Sequence, residues 1–108
     1  MRKLNISDYQ IEIFDSEDKA LINTSYEFKR SLINVLFHPQ LQLTAIELLE
    51  RDKLGQKILS CNDGSLLLED AEYGKIRNAM EEIRGFCRAD VEFVKRIMEA
   101  EQVEVTEK

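Results

Sequence analysis

The sequence holds one histidine, two cysteines, one proline and no tryptophan. Each scarcity removes a class of function. Any mechanism that needs an imidazole must run through His38. That residue stands before Pro39 at the end of an expected helix, where it reads as a partner for the last carbonyls and not as a base. Cys61 and Cys87 are far apart, and neither belongs to a CxxC or His-spaced pattern, so no metal site is expected. Gly55, Gly64, Gly74 and Gly85 are isolated, and neither GxGxxG nor GxxxxGK[ST] occurs. A phosphate-cradling loop is therefore missing. No serine lies in a Gly-x-Ser-x-Gly elbow. Asn62-Asp63-Gly64 fails as a calcium loop, because Leu59 and Cys61 would fall at ligand positions that require oxygen.

Long apolar runs are lacking too. No window approaches the ~20 apolar residues of a spanning helix, so no membrane partner is expected. Behind Met1-Arg2-Lys3, the stretch Leu4-Asn5-Ile6-Ser7-Asp8 is no apolar signal-peptide core. The expectation is a cytoplasmic protein with reduced thiols, without cofactor or metal, and not an enzyme.

What is present is charge and helical periodicity. The net charge is −6, with ten acids against eight bases in residues 1–64 and eleven against seven in residues 65–108. An acidic balance opposes non-specific binding to nucleic acid, which rests on neutralising phosphates, so direct nucleic-acid binding is not expected. A chain of 108 residues is expected to form a single domain over 1–108, with 102–108 a polar tail that is disordered or pairs as an edge strand.

The spacing of apolar residues predicts an α+β fold: a small N-terminal β-hairpin or antiparallel sheet with about four helices, helix-dominated. Tyr9-Gln10-Ile11-Glu12-Ile13-Phe14 alternates as a half-buried strand does, and Ala20-Leu21-Ile22 is its expected return across the Asp15-Ser16-Glu17-Asp18 turn. Ser25 is the expected N-cap of a helix from about Glu27 to Phe37, with Phe28, Leu32 and Leu36 on one face, stopped by Pro39. Thr44-Ala45-Ile46-Glu47 is a capping box opening a helix from Ala45 to about Leu59. Asn62-Asp63-Gly64 reads as a turn, and Ser65-Leu66-Leu67-Leu68 as a short strand. Two amphipathic helices follow, hinged at Arg84-Gly85-Phe86. Tyr73, Ile76, Met80 and Ile83 form the stripe of the first, and Phe93, Val94, Ile97 and Met98 that of the second. Gly55 and Gly74 fall inside helices, where each costs about 1 kcal/mol relative to Ala, which suggests a close crossing at one of them.

The helix from Ala45 to Leu59 breaks the one-faced rule. Ile46, Leu49 and Leu54 are read as pointing one way, and Leu48, Ile58 and Leu59 nearly the opposite way. Such a helix is either buried between layers, the first expectation in so short a chain, or applied to a second subunit. A second candidate surface surrounds the Gly85 hinge: Arg77, Arg84, Cys87 and Arg88, with Lys75, Lys95 and Arg96 nearby. The basic residues there suit a phosphate or an acidic surface. They equally suit ion pairs with Glu81, Glu92 and Glu99 at helical spacing, each worth a few tenths of a kcal/mol. Cations beside Cys87 and a helix start after it favour thiolate, although a small residue in a turn explains it as well.

From Phe28 to Ala100 the order of elements resembles that of small accessory proteins encoded by tailed bacteriophages and prophages. The matching residues are Leu32-Ile33-Asn34-Val35-Leu36, then Glu47-Leu48-Leu49-Glu50-Arg51 with Leu54 and Ile58, then Leu66-Leu67-Leu68-Glu69 with Tyr73 and Ile76, and a terminal helix. The resemblance brings over no catalytic residue. It implies a cytoplasmic protein, in a bacterial or infected-host cell, that works by binding another macromolecule. The function expected is a non-catalytic acidic protein–protein interaction module, an assembly helper or inhibitor of a host protein, with a basic or nucleic-acid-binding protein as partner and homo-oligomeric. Leu48, Ile58 and Leu59 would lie at its contact surface. The alternative is a small nucleotide- or nucleic-acid-binding regulator using Arg77, Arg84 and Arg88.

Overall fold

The computed structural model describes residues 1–14 and 21–103, with side chains placed for 1–11 and 24–103. The Asp15-Ser16-Glu17-Asp18 turn, Ala20 and the tail beyond Val103 lie outside the described residues. The architecture is α+β, with four helices and antiparallel strands in the order β1 (Arg2–Asn5), β2 (Tyr9–Phe14), β3 (Leu21–Tyr26), α1 (Phe28–Leu36), α2 (Ala45–Ser60), β4 (Ser65–Leu68), α3 (Asp70–Glu82), α4 (Val91–Met98) and β5 (Glu101–Gln102).

β2 and β3 form the expected hairpin, with Tyr9 opposite Tyr26 and Phe14 opposite Leu21. The return strand is longer than Ala20-Leu21-Ile22 and takes in Ser25, which therefore does not cap α1. The cap is tertiary: Phe28 N–H donates to Asp8 Oδ1 at 3.0 Å, across the base of the hairpin. A second sheet has the order β4-β1-β5 and puts β1 at its centre. That strand was not anticipated. Its register, Leu4 opposite Leu66 and Arg2 opposite Leu68, carries Leu4, Leu66 and Leu68 into the core while Lys3 and Leu67 face outward. β5 pairs with Arg2 and Lys3, so the edge-strand reading of the tail holds for Gln102, and the strand begins one residue earlier, at Glu101.

The core lies between the β4-β1-β5 sheet and the inner stripes of the helices. Phe28, Leu32 and Leu36 of α1 meet Ile76 of α3 and Phe93 and Ile97 of α4, all buried. The hinge is where periodicity placed it: Gly85 has φ +99°, a left-handed conformation that glycine adopts without steric cost. Tyr9 secures the hairpin base to α4. Its hydroxyl donates to Ala89 O at 3.0 Å and accepts from Phe93 N at 3.1 Å, while its ring stacks on Tyr26 at 4.6 Å. Arg96 lies over the Tyr9 ring at 4.9 Å and donates to Ser7 O at 2.7 Å. No helix among the described residues is long and apolar enough to cross a membrane.

Candidate functional site

α2 opens with the capping box read from the sequence. Glu47 N–H donates to Thr44 Oγ1 at 3.2 Å, and Glu47 Oε1 accepts from Thr44 N–H at 3.3 Å. Two orphan amides are thereby satisfied within the helix itself. The buried face begins only at Arg51 and continues through Leu54, Gly55 and Ile58. Here α2 crosses α1 closely. A Cβ on Gly55 would meet Phe37 Cε2 at 3.3 Å and Ile33 Cδ1 at 3.4 Å, whereas nothing lies within 4 Å of one on Gly74. The close crossing suggested by the two helical glycines therefore belongs to Gly55. Arg51, only 8 % exposed, donates to Leu36 O at 3.4 Å.

Before Arg51, every position from Thr44 to Glu50 is exposed. The first turn and a half of α2 overhang the core, and they carry Ile46, Leu48 and Leu49 at 72 %, 47 % and 66 % exposure. The expected burial between layers is thus corrected. Among the described residues no side chain buries that end, because α1 meets α2 only further along. Ile58 is corrected as well: it is fully buried, on the α1 side with Leu54, and is no surface residue. Leu59 is 59 % exposed. With Ile33 it lines an open groove of about 430 Å³ whose rim carries Asp8, Glu27, Lys29 and Arg30. Lys29 Nζ also donates to Cys61 O.

The basic cluster does not form one site. Arg77 pairs with Glu81 at 3.3 Å, Arg96 with Glu92 at 2.6 Å, and Lys75 with Glu50 at 3.7 Å. Arg84 and Arg88 stand beyond the C-terminus of α3, without an ion pair among the described residues. Cys87 is exposed, and its N–H and thiol both donate to Asp90 Oδ2, at 2.9 and 3.3 Å. Asp90 is the residue here that sequence reasoning passed over. Its other oxygen accepts from the Tyr26 hydroxyl at 2.5 Å. Burial pushes the Asp90 carboxyl up, but the bonds from Tyr26 and Cys87 outweigh it and hold the group below its usual range. Burial first, then the bond to Asp90, raise the Tyr26 phenol far above its own. No spacing in the sequence announces a pair 64 residues apart.

His38 caps a different turn from the one expected. Its Nδ1 accepts from Gln40 N–H at 3.0 Å, at the start of the 3₁₀ turn Pro39–Leu41. Gln40 Oε1 in turn accepts from Arg84 N–H at 3.3 Å. This brings His38 and Arg84 to one end of an open groove of about 230 Å³ between α1 and the hinge, with Ser31, Tyr26 and Asp90 also on its wall. Among the described residues no group of three or more His, Cys, Asp or Glu side chains is placed to hold a metal ion. No protein-family model matches the chain, and no curated protein and no solved structure matches it.

Proposed function

We propose that the protein is a non-catalytic protein-binding module and that the overhanging start of α2 is its docking element. One observation carries this reading: seven consecutive exposed positions, Thr44–Glu50, on a self-capped helix that presents three large aliphatic side chains. Covering such a side chain completely yields about 1.5–3 kcal/mol, so a partner gains from closing over this end what the chain itself leaves unused. Glu47, Glu50 and Asp52 flank the aliphatic residues, and the chain carries net charge −6, so the partner is a protein surface with an apolar groove and a basic rim. A second copy offering such a surface elsewhere on the chain would give the homo-oligomeric form of this interaction. An assembly helper or inhibitor in a phage or prophage setting is the role proposed for it, and the genes beside its own would test that setting.

The regulator built on Arg77, Arg84 and Arg88 gains no support as a joint site, because Arg77 is paired with Glu81 and only Arg84 lines the hinge groove. Partner capture and sedimentation of the native chain beside an Ile46→Asp/Leu49→Asp variant test the docking reading. The native chain should self-associate or retain a specific partner, and the variant should lose that association while keeping its helical spectrum. Equal retention by both, or a native chain that stays monomeric and captures nothing, would overturn it.

A further inference from the structure

The groove between α1 and the Gly85 hinge lies apart from α2 and is polarised along its length. At one end Gln40 ties His38 and Arg84 together, its N–H bonding the imidazole Nδ1 and its Oε1 taking the Arg84 amide. With Nδ1 accepting, the ring proton is on Nε2, so both His38 and Arg84 have donors to offer there. The Arg84 guanidinium makes no hydrogen bond or ion pair among the described residues. At the other end, the Tyr26 hydroxyl donates to Asp90 Oδ1, with Ser31 on the same wall. The wall also includes Val35, Ile83 and Phe93, all buried, and the half-exposed Phe86.

We propose that this groove binds a small apolar monocarboxylate, its carboxylate held by Arg84 and His38 and its hydrocarbon or aromatic body laid over Val35, Ile83 and Phe86. Arginine matches a carboxylate with two parallel N–H donors, which a lone lysine would not provide. The Asp90 charge in the same groove repels a dianion, so the site disfavours phosphate esters. At about 230 Å³ the space suits a group the size of a branched or aromatic side chain and not a nucleotide. The same chemistry is found in a free metabolite acid and in the C-terminal residue of a peptide.

Titration of the ¹⁵N-labelled native chain tests the site with phenylacetate, 2-phenylethanol and inorganic phosphate, and with a short peptide ending in phenylalanine as free acid or amide. Phenylacetate should give saturable shifts at Asn34, Gly85 and Phe86, whereas phenylethanol and phosphate should not. Binding of the free-acid peptide tighter than phenylacetate assigns the carboxylate to a chain terminus, and weaker binding assigns it to a small molecule. Arg84→Gln should weaken phenylacetate about tenfold, and Arg77→Gln should leave it unchanged. Either of two results would overturn the proposal: no saturable shift for either carboxylate at about 10 mM, or equal shifts from the neutral alcohol. Because α2 does not line this groove, Ile46→Asp/Leu49→Asp should bind phenylacetate as the native chain does, which separates this test from that of the docking face.

Discussion

α4 and α2 are both rich in apolar residues and put them to opposite uses. In α4, Phe93 and Ile97 are buried, with Val94 and Met98 packed beside them, a stripe at spacings of three and four. In α2 the apolar residues at 46, 48, 49, 54, 58 and 59 cannot be gathered on one face, since Leu49 and Leu54 stand about 140° apart around the helix. The structure resolves this by burying one short arc, Leu54 to Ile58, and leaving Ile46, Leu48, Leu49 and Leu59 outside. A regular stripe reports what the fold consumes. Aliphatic residues that break the stripe mark surface left over for something else.

That contrast can be broken most forcefully within α2 itself. Ile58→Ala removes a fully buried side chain and should cost about 2–5 kcal/mol in urea unfolding, as core truncations do. Ile46→Ala, the same change three turns earlier, should stay within about 0.5 kcal/mol. Equal costs would erase the distinction between the two ends of the helix.

The acid limb of stability should rest on carboxyls outside α2. Asp90 beside α4 and Glu72 in α3 are both held below their usual range. In Asp90 the bonds from Tyr26 and Cys87 overcome burial. In Glu72 the bond from Lys57 at 2.7 Å, the Glu69 amide and the charges of Lys57 and Lys75 do so. A carboxyl depressed in the folded state stabilises above its unfolded value, and that contribution is lost as pH falls through the folded one. Stability should therefore fall as pH drops below about 4, and Asp90→Asn should flatten that limb in a pH series of thermal melts. An unchanged slope would remove Asp90 from the account.

The two helical glycines give a smaller contrast of opposite sign. Gly55→Ala gains helix propensity but presses on Phe37 and Ile33, and the net result should be a loss of about 1 kcal/mol. Gly74→Ala meets nothing and should gain about 0.5–1 kcal/mol. Thermal melts of the two variants moving in the same direction would contradict the close α1–α2 crossing.

Much of the fold was legible because it rests on local signals. The α3 and α4 stripes, the Thr44 capping box, the Gly85 hinge and the first strand of the hairpin each lie within a few consecutive residues. β1 was not legible: it has four residues with one buried among them, and its partners lie some 60 and 100 positions away. The cap of α1 was misread for the same reason, since Asp8 supplies from the link between β1 and β2 what Ser25 was expected to supply locally. Of the candidate sites, the apolar excess of α2 was visible in its broken periodicity, but not which residues it would strand. The hinge groove was half visible. Arg84 stood out by charge, while His38 reaches it only through Gln40, whose side chain and backbone bridge a separation of 44 residues to Arg84.

The central claim is that the start of α2 is surplus to folding and reserved for a partner. Urea unfolding of an Ile46→Ser/Leu49→Ser variant, run beside sedimentation of the same samples, tests it most directly. The account predicts unfolding free energy within about 0.5 kcal/mol of the native chain together with loss of its association. A loss of stability above about 2 kcal/mol would show that these side chains belong to the core, and would contradict the claim.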